Sequence, residues 1–457
     1  MLALKALDSI CMDKFDPWDI SNYKISSCTF KENFRTKDKN YNNNSLIASD
    51  MFILEFNCSI NNQILCEKMN YTFQLATKEI SRVFKLNTEI NLKVNFESLN
   101  EPTLLGSTIP SRFIKLISEE DNVARYYPQA LVKQFNNYDS QNFLKYDIIM
   151  SINSDQNLWF EGDGQINKNQ SDAFTLVIHE IMHGLGFYSL WDDSIEQSKA
   201  LSPFLSFNSN TFEGFIESIF DKYVYVVKDD DDDDDNDDNS NLESFLNLTA
   251  KLNTIGPPGI QVYDKKEFMN KVLSSPQWEE VARYVYNKSN NKEHSIKFTP
   301  NNYSINDIFL ETRIDYNPSS SLCHVSYHDF ANSSDFLVTY LHDSGLTKND
   351  FLIRGGNYSG GVIGPRLLAI MSSLGYETKL DIQPDFSVIT TTSSTTSASS
   401  STSTSTTSTS INSLSSNGSN NNFKNFNGWK LVLIILELSI FLFKNYSKHR
   451  LIRTDKN

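Results

Sequence analysis

The sequence predicts an α+β fold in which a mixed sheet packs against helices. Three stretches indicate it: residues 72–86 place apolar side chains at helical spacing, residues 90–96 (INLKVNF) alternate like a half-buried strand, and residues 146–153 (YDIIMSIN) form another strand-like run. The chain has 457 residues, of which 39% are hydrophobic. This length is enough for more than one domain and a substantial core.

Composition and pattern divide the chain into six segments. The two central segments contain the predicted sheet and helices, and the last three change to low complexity, then to an apolar run, then to basic residues. We assign 1–66 as an N-terminal region of unknown role, 67–190 as the first subdomain, 191–380 as a C-terminal subdomain with an acidic insertion, 384–428 as a Ser/Thr/Asn-rich linker, 429–443 as a hydrophobic membrane segment, and 444–457 as a basic tail.

The C-terminal segments predict attachment to a membrane. Residues 431–443 are apolar apart from Glu437, and Lys and Arg follow them. Thirteen residues is shorter than the roughly 20 that span a bilayer as a helix. We expect a single-pass anchor with the basic tail in the cytosol and the large domain, on a stalk open to glycosylation, outside. A GPI signal or a tail anchor remains an alternative, and residues 1–15 lack the apolar core of a signal peptide.

The charge of the chain argues against nucleic acid as a partner. The net charge is −15, and nine of these charges come from the aspartates at 229–235, 237 and 238. Basic residues cluster only in the last fourteen positions. The aspartate run lacks the alternating ligand and glycine pattern of a calcium loop. We therefore expect a solvated surface insertion there.

The five cysteines show no paired zinc-binding spacing. Cys58 and Cys66 are close enough in sequence for one disulfide in an oxidising compartment. Cys11 and Cys28 are interpreted as structural or unpaired, and the alternative is that one of them caps a metal as a latency thiolate.

The stretch HEIMHGLGF, which begins at His179, carries the strongest chemical signal. Ser171 is predicted to cap its helix, Asp172 suits the first turn, and Gly184 and Gly186 are predicted to end it. Residues four apart lie on one helix face, so His179 and His183 present two imidazoles to one point.

This HExxH pattern predicts zinc-dependent hydrolysis. Two neutral imidazoles hold Zn²⁺, and Glu180 beside them can take a proton from a zinc-activated water and return it to a leaving amine. The same pattern can arise by accident in a helix that carries two histidines for packing. Such buried rings would still need hydrogen-bond partners.

The extended motif resembles that of metzincin peptidases, HExxHxxGxxH, but Ser189 stands where the last histidine is expected. The HGLGF stretch is similar to that of leishmanolysin-like peptidases, whose third histidine follows a long insertion. It is also similar to fungal and bacterial proteins that read HGLGF and later GSSxSH. PSSSLCH matches their SSxxH pattern, so the resemblance implies that His324 is the third ligand. His328 remains the competing residue, a carboxylate is a further alternative, and the resemblance places Val338 where a methionine is expected beneath the metal. His294, His342 and His449 are interpreted as surface histidines.

The sequence thus predicts a metzincin-like zinc metalloendopeptidase acting on protein or peptide substrates, with Glu180 catalytic and His179, His183 and His324 holding Zn²⁺. The valine at position 338 motivates an alternative, a catalytically silent zinc-binding protein of the cell surface that serves adhesion or recognition. A further alternative is a stalked structural glycoprotein with an accidental motif. Residues 146–153 are expected either to pair with an extended substrate at a sheet edge or to act as an ordinary strand.

Overall fold

The computed structural model describes residues 4–5, 9–17, 22–28, 51–135, 142–193, 199–229, 241–301, 305 and 308–381. These residues belong to one compact unit within Met1–Ile389. The expected linker, membrane segment and basic tail, and the aspartate run beyond residue 229, lie outside the described residues. Within the described part of the chain, no helix combines the length and the apolar character needed to cross a membrane.

The described residues form a mixed αβ fold with several sheets, which confirms the α+β prediction at that level. In chain order the strands are β1 (Leu4–Lys5), β2 (Ser9–Lys14), β3 (Tyr23–Cys28), β4 (Phe52–Cys58), β5 (Phe84–Lys85), β6 (Ile90–Glu97), β7 (Gly106–Pro110), β8 (Arg112–Ser118), β9 (Ala124–Pro128), β10 (Ile148–Asn153), β11 (Leu158–Trp159), β12 (Ser171–Asp172), β13 (Phe204–Asn208), β14 (Thr211–Ile216), β15 (Val224–Val227), β16 (Leu242–Ser244), β17 (Ile260–Gln261), β18 (Ile296–Phe298), β19 (Ile308–Phe309) and β20 (Glu377–Thr378). The α-helices are α1 (Gln63–Val83), α2 (Gln129–Val132), α3 (Ala173–Leu185), α4 (Phe245–Leu252), α5 (Lys265–Leu273), α6 (Tyr284–Lys288), α7 (Tyr327–Phe330), α8 (Lys348–Arg354) and α9 (Pro365–Leu374).

A central sheet in the order β4–β6–β10–β7 supports the motif helix. Strands β4, β6 and β10 are parallel, and β7 is antiparallel to β10. The alternation predicted from residue 90 is confirmed, because every second residue of β6 is buried. Helix α3 packs against β7, β10 and α1, so the motif helix contacts both the sheet and a second helix.

The first predicted helix is longer at its start than the apolar pattern indicated. It begins at Gln63 instead of 72, because Asn62 caps it by accepting a hydrogen bond from the Leu65 amide. It ends at Val83, where the chain continues as β5. Helix α9 has proline at its first position, and Gly375 lies just beyond its end at φ 122°.

The N-terminal residues take part in the fold of the following segment. Strands β2 and β3 form a hairpin closed by a Cys11–Cys28 disulfide, and β2 pairs with β8. A buried ion pair between Asp13 and Arg112 fixes this pairing, with one nitrogen–oxygen distance of 2.8 Å. The predicted Cys58–Cys66 disulfide is also present, and it links β4 to α1.

The described residues also form several smaller sheets. Three of them are β13–β14–β17, β16–β15–β18–β19 and the pair β5–β20, all drawn from the described residues. The division into subdomains between residues 190 and 191 stays a prediction. Strand β20, near the end of the described chain, pairs with β5, which directly follows α1.

Replacing Gly184 by alanine tests how closely α3 packs on the sheet. A Cβ atom at Gly184 would lie 2.4 Å from Ile148 Cγ2 of β10, so the Ile148 side chain or the helix must shift. We expect a loss of about 1–3 kcal/mol in the free energy of unfolding, as for other overpacked cores. Gly164→Ala is the matched control, since nothing lies within 4 Å of a Cβ there. Equal urea midpoints for the two variants would contradict this packing.

Candidate metal centre

Helix α3 places the two motif histidines one turn apart. Its N-cap is Asp172, whose carboxylate accepts a hydrogen bond from the Thr175 amide at 2.9 Å, so the prediction that Ser171 caps the helix was wrong by one residue. Gly186, at φ 121°, ends the helix as predicted. Gly184 does not end it, because it lies inside the helix against Ile148.

The third histidine reaches α3 through a loop that folds back on the chain. The Glu311 amide donates to the carbonyl of His324 at 2.8 Å, and the Val325 amide donates to the carbonyl of Val338 at 3.0 Å. These backbone bonds hold the loop beside the short 3₁₀ turn Phe336–Val338, which packs against α3. His324 is buried at the end of this loop.

The imidazoles of His179, His183 and His324 converge through their Nε2 atoms. The Nε2–Nε2 distances are 3.0 Å for His179 and His183, 3.2 Å for His183 and His324, and 3.3 Å for His179 and His324. The other ring nitrogen of each histidine, Nδ1, contacts a backbone carbonyl oxygen. The acceptors for Nδ1 are Leu337 O at 2.6 Å, Phe187 O at 3.0 Å and Ser320 O at 3.0 Å, for His179, His183 and His324 respectively.

These carbonyls determine which nitrogen of each neutral ring carries the proton. A carbonyl oxygen only accepts, so each Nδ1 must be the donor. Each neutral ring then has a lone pair on Nε2 and no proton there to share. Three lone pairs that face one another at about 3 Å are mutually unfavourable without a cation among them.

The three histidines therefore form a group that can hold a metal ion. Nitrogen ligands at 2.0–2.1 Å around a tetrahedral Zn²⁺ would stand about 3.3 Å apart, which is close to the distances above. The bonds from Nδ1 to carbonyls are the outer contacts that orient metal-binding histidines in proteins. The donor set thus fits Zn²⁺, with a fourth position available to a further ligand.

Burial keeps these rings in the neutral form that binds metals. Desolvation lowers the pKa of His183 to about 4, and it lowers the pKa values of His179 and His324 well below the usual 6.5. Glu180 is buried as well, and desolvation raises its pKa to about 7, against the opposing effect of a hydrogen bond from Thr108. A carboxylate near this pKa can both accept and release a proton at neutral pH.

Residues 328 and 189, the other positions considered for the third ligand, do not join the three imidazoles. His328 is on the surface with 61% of its side chain exposed, and its Nδ1 faces Glu293 at 3.3 Å. The Ser189 hydroxyl donates a hydrogen bond to the Asp221 carboxylate at 2.6 Å, so Ser189 connects the segment after α3 to the segment that contains Asp221. Within the described residues, neither belongs to the metal-binding group.

The prediction that His342 is a surface histidine holds only in part, because this residue is half-buried. Its Nε2 lies 2.7 Å from the Thr175 hydroxyl of α3, and desolvation lowers its pKa to about 4. His294 lies on the surface, stacked on Phe309. His449 lies outside the described residues.

The disulfide between Cys11 and Cys28 excludes the alternative in which one of these two cysteines caps the metal as a thiolate. Cys11 and Cys28 are bonded to each other, so neither has a thiol to offer. Cys323 is the free cysteine of the described chain, and its Sγ lies 3.5 Å from His324 Nδ1. Burial raises the pKa of this thiol to about 12, which keeps it protonated at neutral pH.

Residues 146–153 do not form a sheet edge, so of the two alternatives for this stretch the ordinary strand is confirmed. Strand β10 lies between β6 and β7, and β7 is the strand at this edge of the sheet. The N-terminal segment runs beside β7: the Lys14 amide donates to Ser111 O at 2.8 Å, and the Ser107 hydroxyl donates to Pro17 O at 3.0 Å. An extended peptide pairing with β7 would therefore meet the chain's own N-terminal segment.

One contact of the motif had no signal in the sequence. Thr108, in the middle of β7, donates a hydrogen bond from Oγ1 to Glu180 Oε2 at 2.7 Å. The two residues are 72 positions apart. Only the antiparallel placement of β7 next to α3 brings them together, and local spacing cannot indicate that.

Comparisons with known proteins identify a family and no chemistry. A model of the SPBPB7E8-like family matches residues 11–412. The chain is similar to the Schizosaccharomyces pombe protein named Uncharacterized protein PB7E8.01, with 25% identity over 369 residues. This match covers 72% of the chain and 63% of the relative, so the chain spans less than two thirds of the relative's length. No solved structure matches the chain.

Removing the third imidazole tests the site directly. In the full-length chain, we expect His324→Ala to lower zinc affinity by several orders of magnitude, because two imidazoles and solvent replace a three-histidine site. His328→Ala is the matched control, since it removes a histidine four positions away that faces Glu293. Competition against a chromophoric chelator measures both. Equal affinities for the two variants would rule out His324 as a ligand.

Proposed function

We propose that this chain, which belongs to the SPBPB7E8-like family, is a zinc-dependent metalloendopeptidase with a metzincin-like catalytic unit. The observation that carries the proposal is the convergence of three Nε2 lone pairs beside a buried glutamate. His179, His183 and His324 would hold the ion. Zinc when bound supplies Lewis acidity, which polarises a peptide carbonyl and makes a water molecule more acidic.

Glu180 would move the proton of the reaction. In peptide hydrolysis, the water oxygen attacks the carbonyl carbon and its proton passes to the Glu180 carboxylate. As the carbon–nitrogen bond breaks, Glu180 returns that proton to the leaving amine. A peptide bond is thereby replaced by a carboxyl group and an amine.

The resemblance to leishmanolysin-like peptidases supports this reading through HGLGF and the distant third histidine. Gly186 turns the chain after α3, and the loop that ends at His324 follows far along the chain. Substrates would be proteins or peptides. We further propose that the unit is displayed outside the cell on a Ser/Thr-rich stalk and held by residues 429–443. The two disulfides support an oxidising compartment.

A second candidate is a zinc-binding surface protein without catalytic activity, which serves adhesion or recognition. The observation in its favour is Val338. This residue is buried in the turn beside α3, where the resemblance implies a methionine. Since that methionine is an apolar floor and not a ligand, valine can fill the position, and for this reason we prefer the peptidase.

The variant Glu180→Gln separates the two candidates. It keeps the size of the side chain and the three imidazoles, so we expect one zinc per chain in both wild type and variant. Turnover of a broad peptide library should fall by about 10²–10⁴-fold, the usual size of a general acid–base contribution. Chelation should abolish wild-type turnover, and added zinc should restore it. A zinc-loaded wild-type chain that cleaves no peptide in the library would support the silent protein instead.

A further inference from the structure

The outer strand β7 presents two residues to the glutamate of the motif. Alternate residues of a strand face opposite sides, so Gly106 and Thr108 share one side. Thr108 Oγ1 lies 2.7 Å from Glu180 Oε2, and a Cβ atom at Gly106 would lie 3.1 Å from Glu180 Oε1. Ser107 between them is bonded instead to Pro17 O. Both oxygens of the carboxylate thus lie against β7.

The hydrogen bond between Thr108 and Glu180 is buried in the packed interior. Thr108 is 7% exposed and Glu180 is 5% exposed. The register pairs Thr108 with Met150 of the inner strand β10, which is fully buried. Because β7 is fixed by β10 on one side and contacts α3 on its face, the hydroxyl has little freedom to leave the carboxylate. Among the described residues, Thr108 is the group that donates a hydrogen bond to Glu180.

We infer that Thr108 is a positioning residue, which anchors Oε2 of Glu180 and leaves Oε1 as the oxygen that exchanges the proton. This inference rests on the proposed function. A carboxylate with one oxygen tied has a single orientation, whereas a free carboxylate rotates about its last bond. Precise orientation of a proton-transfer group raises the rate of the chemical step and hardly affects substrate binding. The small Gly106 keeps space beside the second oxygen.

Three single variants of the full-length chain test this role through kcat and KM. Thr108→Val keeps the shape and removes the donor, and we expect kcat to fall about ten- to a hundredfold, the size of one lost hydrogen bond to a charged group. KM should change little, and zinc content should stay at one per chain. Thr108→Ser restores a hydroxyl and should recover most of kcat.

The control is Ser107→Ala, which removes a hydroxyl of the same strand that is bonded to Pro17 O. Its kcat should match that of the wild type. An unchanged kcat in Thr108→Val, or a loss in Thr108→Ser as large as that in Thr108→Val, would overturn the inference. A rise in KM without a fall in kcat would show that Thr108 contributes to substrate binding instead.

A double-mutant cycle makes the result independent of turnover. Urea midpoints are measured for wild type, Thr108→Val, Glu180→Ala and the double variant, because alanine removes the acceptor that glutamine would keep. If the hydroxyl and the carboxylate are bonded, the double variant loses less than the two single losses together. Additive midpoints would overturn the inference. Absence of peptide cleavage by the wild-type chain would reject the proposed function, and the cycle would then decide on the Thr108 contact alone.

Discussion

Three imidazole nitrogen atoms lie about 3 Å apart, and their lone pairs face one another. Backbone carbonyls at Leu337, Phe187 and Ser320 fix the proton of each imidazole on the far nitrogen. The near nitrogens can then be satisfied together only by a cation. The bonds to these three carbonyls also hold the rings in this arrangement.

The fold supplies that arrangement from distant parts of the chain. One helix gives two of the histidines and the glutamate, and the close contact at Gly184 lets this helix lie directly on β10. A loop about 140 residues later gives the third histidine, and the turn Phe336–Val338 contributes both backbone support for the loop and the carbonyl that binds His179. Strand β7 contributes the Thr108 hydroxyl, which donates a hydrogen bond to the glutamate.

Sequence patterns could predict those parts of the site that depend on local spacing. His179 and His183 follow from the helical repeat, and the alternation in β6 was read correctly from residue 90. His324 needed a resemblance to a family, since a spacing of 141 residues carries no periodicity. The carbonyl partners could not be predicted at all, because every residue has the same carbonyl group.

The incorrect predictions also concern contacts between residues that are distant in sequence. Gly184 resembles a helix end, because glycine is a weak helix former, yet it lies inside α3 where Ile148 leaves no room for a side chain. Asp172 caps α3 in place of Ser171, and its carboxylate accepts hydrogen bonds both from the Thr175 amide and, at 2.7 Å, from the distant Lys348 amide. The sequence left open whether β10 lies at the edge of its sheet, because the order of strands depends on pairings between residues that are far apart in sequence. The partial burial of His342 comes from its contacts with α3 and α8.

X-ray absorption at the zinc edge of the purified full-length chain identifies the atoms that surround the bound ion. We expect three imidazole nitrogens at about 2.0–2.1 Å and a remaining light-atom ligand, with the loss of one imidazole in His324→Ala. A sulfur ligand at about 2.3 Å, which Cys323 would have to supply, or a centre with only two imidazoles in the wild-type chain would contradict this expectation.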